Sequence, residues 1–207
     1  MTHPKILLRQ ASATIFAALL PCLGGHAQDR CQAFNLETLP KREVRAVWLT
    51  TLSNLDWPKG YATTQEGIER QKRQLTEILD RYAEANINTV LFQARVRATT
   101  TYPSALEPWD RCLTGQEGRA PGYDPLRFAI EECHKRGMEI HAWLATIPCG
   151  PWTSLGCRRL RAKGLRLRKL DGAGYLDPSD ERVAPYLASV CAELTEKYDI
   201  DGIHLDY

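Results

Sequence analysis

The sequence predicts an α/β protein made of the first four βα units of a (β/α)8 TIM barrel. Three observations predict it. Four short apolar, β-branched runs alternate with single segments of helical period. The connections from helix back to strand are short, whereas those from strand to helix are long. Polar residues of one parity gather near the carboxyl ends of the later runs.

The first stretch stands apart from this pattern. Lys5 and Arg9 precede the apolar run ATIFAALLPCLGG, which is too short to span a bilayer, and GGHAQ offers small residues for cleavage after Ala27. Residues 1–27 read as a secretory signal peptide, 28–41 as a leader, and 42–207 as the barrel segment. The expected location is periplasmic or extracellular. Pro21 stands where a lipoprotein acceptor such as Cys22 would want a small residue, which argues against lipid anchoring. Removing the signal takes away two cations and no acid, leaving 25 basic against 25 acidic residues. That balance argues against nucleic acid as a partner. With 43% hydrophobic residues the chain can bury an ordinary core.

The elements follow in order. EVRAVWLTT (43–51) fits a buried strand, and Ile68, Leu75, Ile78, Leu79 and Tyr82 mark the helix after it. INTVLFQAR (87–95) is the second strand. After a Pro-, Gly- and Thr-rich loop, Asp124-Pro125 supplies an N-cap and a first-turn proline for a helix through Leu126, Ile130 and Cys133 that closes at Gly137. MEIHAWLAT (138–146) is the third strand. A long loop is expected next, then a helix through Val183, Leu187, Val190, Cys191, Leu194 and Tyr198, and DGIHLDY as the fourth strand. Single helices between strands imply right-handed crossovers and a parallel sheet. A doubly wound sheet would carry a glycine-rich phosphate turn after an early strand, and the turns after Thr51, Arg95 and Thr146 have none. No nucleotide or other cofactor is implied.

Strand parity sorts the side chains. Gln93 and Arg95 oppose Val90, Phe92 and Ala94; His141 and Trp143 oppose Ile140, Ala142 and Leu144; His204 and Asp206 oppose Ile203 and Leu205. The apolar sets should meet the helices, so Gln93, Arg95, His141, Trp143, His204 and Asp206 are expected to converge near one mouth. Asp206 is the strand-end carboxylate of the four runs.

The six cysteines outside the signal form no Cys-x-x-Cys pair and no His/Cys cluster of zinc spacing, which argues against a metal site. Cys133 and Cys191 fall on apolar helix faces. Cys149 and Cys157, eight positions apart in one loop, are candidates for a disulfide in an oxidising compartment, and Cys31 and Cys112 are a second conceivable pair.

VRAVWLTTLSNLDWP, YPSALEPWDRCLTGQEG, PGYDPLRFAIEECHKRGMEIHAW and YDIDGIHLDY together resemble the N-terminal half of the glycosyl-hydrolase-like 10 family of exported bacterial proteins. The resemblance spans about residues 42–207. It implies a TIM-barrel hydrolase acting on glycosidic bonds of a polysaccharide, with peptidoglycan glycan strands among the substrates. Two departures stand out. Ala145-Thr-Ile-Pro-Cys-Gly replaces the family's asparagine-containing stretch after the third strand, and Leu176-Asp177-Pro178 replaces Leu-Asn-Pro.

Within this reading Asp206 is the catalytic carboxylate. Trp48, Gln93, Arg95, His141, Trp143, Asp177, His204 and Tyr207 are candidates for substrate contact, and Trp109 offers a further ring face. Hydrolysis requires a second carboxyl group, for which Asp56, Glu107, Asp110, Glu117 and Asp177 are loop candidates. A saccharide-binding protein on a hydrolase scaffold is the alternative, because fold alone does not separate the two. Arg158 to Lys169 crowd the loop after the third strand with basic residues, read as a solvated insertion or, alternatively, as an electrostatic rim for an anionic glycan. Four of eight units being present, the chain is expected to be the front half of a longer enzyme and inactive alone. Nothing in the sequence indicates an oligomeric state.

Overall fold

A computed structural model of the protein describes residues 43–207. The expected signal peptide and leader, with Cys22 and Cys31, lie outside the described residues. Strands β1 (Ala46–Leu49), β2 (Thr89–Arg95), β3 (Glu139–Ala145) and β7 (Gly202–Asp206) form one sheet in the order β1-β2-β3-β7. All three pairings are parallel, as the element order predicts.

Helices α1 (Gln65–Glu84), α3 (Pro125–Lys135) and α5 (Val183–Lys197) make the crossovers. Their starts are written locally. Thr64 accepts a hydrogen bond from the Gly67 N–H, and Asp124 accepts one from Arg127 N–H with Pro125 opening the first turn. Val90, Phe92 and Ala94 of β2 and Ile140, Ala142 and Leu144 of β3 are all but completely buried, in one core with Leu75 and Leu79 of α1, Leu126 and Ile130 of α3, and Val190 and Leu194 of α5. Burying each larger side chain contributes about 1.5–3 kcal/mol. That pressure fixes which parity faces the helices and sends the polar parity to the opposite face.

The segment after β3 departs from the expected loop. It folds into strand β4 (Pro148–Pro151), helix α4 (Leu155–Ala162) and strands β5 (Leu167–Leu170) and β6 (Ala173–Leu176), with an antiparallel sheet ordered β4-β6-β5. Cys149, Cys157, Leu160, Leu165 and Leu176 make a second small core with Ala98 and Val183. The basic run lies on the outside of this unit, where Arg161 stacks on the Trp152 ring at 4.2 Å and Arg168 pairs with Asp177 at 2.8 Å. Cys149 and Cys157, the candidate disulfide pair, are buried thiols that hydrogen-bond to each other in this structure. Cys149 Sγ also lies within hydrogen-bond reach of the Ile147 carbonyl, and Cys157 Sγ within reach of the Cys149 carbonyl. A short helix α2 (Arg111–Thr114) sits in the connection between β2 and α3. Among the described residues, no helix is long and apolar enough to cross a membrane.

Candidate functional site

The register stacks the polar parity in levels. Trp48 is level with Leu91, Leu91 with His141, and His141 with Gly202. Gln93 is level with Trp143 and Trp143 with His204, while Asp206 pairs with Ala145 at the carboxyl end. Trp48 Cα and His204 Cα stand on opposite outer strands, yet their rings meet edge to face with centroids 5.8 Å apart. The face carrying them is therefore concave.

Asp206 is the carboxylate at the carboxyl end of that face. Trp143 Nε1 donates to Asp206 Oδ2 at 2.9 Å, and Oδ1 has no hydrogen-bond partner among the described residues. The strand end beneath is pinned by Thr146, whose N–H and hydroxyl both donate to the Asp206 carbonyl, the hydroxyl also reaching the Tyr207 carbonyl. The half-buried carboxylate is thus oriented on one oxygen and open on the other. Tyr207, 80% exposed, follows it directly, while Trp48, 54% exposed, stands on the level of His141 and reaches this face through its ring contact with His204. Sequence reasoning did not single out Thr146, although it directly follows the third strand.

Three expected contacts are corrected. His141 is level with Gly202, four residues short of Asp206 along β7, which is about 13 Å of strand. Its Nε2 faces Glu139 at 3.3 Å, so it belongs to the amino-end level and not to the mouth. Gln93 is buried, and its Oε1 accepts from Thr50 Oγ1 and from the N–H groups of Thr51 and Leu52, which shapes the turn leaving β1. Arg95 is fully buried. Its Nε and Nη2 form a two-pronged pair with Glu107 at 2.8 and 2.7 Å, and Nη1 donates to the carbonyls of Ala145 and Thr146. Burial works against the Arg95 charge and Glu107 more than offsets it. Arg95 therefore ties β2 to the end of β3 and positions the neighbourhood of Asp206 from behind.

Four of the five loop carboxylates have both oxygens engaged, and Asp56 has one. Glu107 holds Arg95 and accepts from Tyr186 Oη; Asp110 caps α2 and accepts from Thr99 Oγ1. Glu117 accepts from the Leu155 and Gly156 N–H groups at the start of α4, and Asp56 from the Thr50 N–H. Asp177 accepts from Ser179, which holds its pKa below the ordinary carboxylate value, and from Arg168 Nε. This makes Asp177 a staple of the β5–β6 hairpin. Trp109 packs partly buried against the main core.

A cavity of about 610 Å³ lies among the connections that follow β1, β2 and β3, lined by Tyr61, Arg97, Asp110, Arg111, Glu117 and Gly150 among others. It shares no lining residue with the Trp48, Trp143, His204 and Asp206 surface.

Fold and site define a parallel α/β protein of glycoside-hydrolase-like type, with one oriented carboxylate at a strand end on a concave, aromatic face. The chain belongs to the glycosyl hydrolase-like 10 family, whose sequence pattern it matches over residues 43–207. It is 32% identical over 180 residues to glycosyl hydrolase DigH of Escherichia coli strain K12, covering 79% of this chain and 41% of that protein. It is 33% identical over 181 residues to glycosyl hydrolase YngK of Bacillus subtilis strain 168, covering 80% and 33%. The chain thus spans well under half the length of these relatives. Among solved structures it shares its fold with the maltogenic α-amylase AmyB of Thermotoga neapolitana, at TM-score 0.51, 15% identity, 79% of this chain and 39% of that one. It does so also with α-L-fucosidase isoenzyme 2 of Paenibacillus thiaminolyticus, at TM-score 0.50, 19% identity, 80% and 24%.

Proposed function

We infer that the intact protein is an exported glycoside hydrolase that cleaves a polysaccharide, with Asp206 as one of its two catalytic carboxyl groups. The observation that carries this reading is the Trp143–Asp206 bond, which fixes one carboxylate oxygen and leaves the other without a hydrogen-bond partner among the described residues. The concave four-strand arc supports a (β/α)8 barrel, in which catalytic groups come from several strand ends. Glu107, Asp110, Glu117 and Asp177 each have both carboxylate oxygens engaged within the fold, which argues against these four as the second carboxyl group. Its separation from Asp206 decides the outcome: about 5–5.5 Å gives retention and about 6.5–9.5 Å gives inversion.

The surrounding residues take matching roles. Trp48 and Trp143 offer ring faces to a sugar, while His204 and Tyr207 offer polar atoms to its hydroxyl groups. Export is supported by the pattern of residues 1–27, and peptidoglycan glycan strands are a substrate suggested by the family resemblance. The test is the appearance of new reducing ends when intact protein is incubated with purified glycan strands and a panel of other polysaccharides. Release supports the hydrolase. Binding without release from every polysaccharide would replace it with a saccharide-binding role.

A further inference from the structure

The cavity beyond the strand ends contains four charged side chains that differ in how they are occupied. Both oxygens of Asp110 are taken, one by the Cys112 N–H and one by Thr99 Oγ1. Both oxygens of Glu117 accept backbone N–H groups at the start of α4. Each acid thus already faces the donor end of a helix, where its charge is balanced. Arg97 and Arg111 are different. Both are exposed, and neither makes an ion pair or a side-chain hydrogen bond among the described residues. The space for Arg97 is built in: a Cβ at Gly150, whose φ is +78°, would stand 3.5 Å from Arg97 Cβ, so the arginine stem lies directly over that glycine. Tyr61, 47% exposed, seats its ring over Gly115, where a Cβ would come within 3.1 Å. The cavity therefore presents one aromatic platform and two uncommitted guanidinium groups.

We propose that this cavity is a separate subsite for a carboxylate-bearing sugar unit of the glycan, with Tyr61 stacking on the ring and Arg97 and Arg111 recognising its carboxylate. The guanidinium fork matches a carboxylate in two-pronged geometry, which a neutral sugar cannot exploit. The assignment rests on the glycan-directed reading above and adds the chemical class of one unit bound away from Asp206.

Calorimetric titration of the intact protein with tetragalacturonate and with cellotetraose, a neutral chain of equal length, tests it. Tetragalacturonate is expected to bind at least tenfold more tightly, and Arg97→Gln and Arg111→Gln each to weaken it roughly tenfold while changing cellotetraose affinity less than about twofold. Arg97→Lys should recover part of the loss, and unchanged melting temperatures would confirm that the variants fold. Equal affinity for the two oligosaccharides, or equal losses for both in the arginine variants, overturns the subsite and leaves the hydrolase reading standing. Failure to bind or cleave any glycan overturns both.

Discussion

Trp48 and His204 touch, with ring centroids 5.8 Å apart, although they belong to the two outermost strands of a four-strand sheet. In a flat sheet three strand spacings would separate them by about 14 Å. Their contact is a direct reading of curvature. Replacing Trp48 with Ala should cost about 1 kcal/mol in chemical denaturation, the scale of an aromatic pair at a partly exposed site, and Trp48→Phe should retain most of it. Equal losses for both variants would show that the contact carries no specific energy.

The Arg95–Glu107 pair is expected to be the most sensitive point in the framework behind Asp206. Glu107→Leu leaves a buried guanidinium without its partner and should destabilise the fold by about 3–5 kcal/mol. Combining it with Arg95→Met should recover part of that loss. A double variant whose cost equals the sum of the single ones would show the two groups to be independent.

Gly156 lies where α4 meets the loop after β2, and a Cβ there would stand 2.5 Å from the Ala98 carbonyl oxygen. Backbone cannot turn aside as a side chain can. Gly156→Ala should therefore cost about 1–3 kcal/mol and loosen the unit of β4, α4, β5 and β6 before the main sheet. Amide exchange resolves this; a uniform change across the molecule would contradict it.

Acid should release the same unit first. Ser179 holds the Asp177 carboxyl below its ordinary value near 3.8, and Arg182 does the same for Asp180. A carboxylate whose folded pKa lies below its unfolded one stabilises fully above the unfolded value and loses that contribution as pH falls from there through the folded value. Protection of residues 166–182 should therefore fall as the pH drops below about 4 faster than that of β2 and β3, once intrinsic exchange rates are corrected. Parallel loss in both regions would contradict the assignment.

Much of this was legible in the sequence, and the gaps have physical reasons. The four parallel strands and three crossovers followed from apolar runs and helical spacing, because burial on one side of the sheet dictates parity. Parity is broken at Arg95, where a bulge after Gln93 sets it level with Leu144 of the apolar set, and parity carries no level: only the register shows that His141 stands beside Gly202 while Asp206 stands beside Ala145. Burial was equally hidden. Arg95 looks like a ligand-binding residue in a strand, and its pairing with Glu107 twelve residues on depends on how the loop folds back. The unit after β3 was missed because Leu-Arg-Lys-Leu has too few apolar residues to announce a strand. Asp171-Gly172, with φ of 48° and 78°, is nevertheless a two-residue hairpin turn of the kind that joins two strands, and it was there to be read. Arg97 stands just past the end of β2, where strand parity no longer sorts side chains.

The central claim is that Asp206, held by Trp143, takes part in glycosidic bond cleavage. Its most direct test is to compare intact wild-type protein with Asp206→Asn, measuring both the rate of reducing-end release and the affinity for the same glycan. A carboxyl group that moves a proton in the transition state contributes about 10²–10⁴-fold, so release should fall by at least about 100-fold while affinity changes only a few-fold. Release at the wild-type rate by Asp206→Asn would contradict the account.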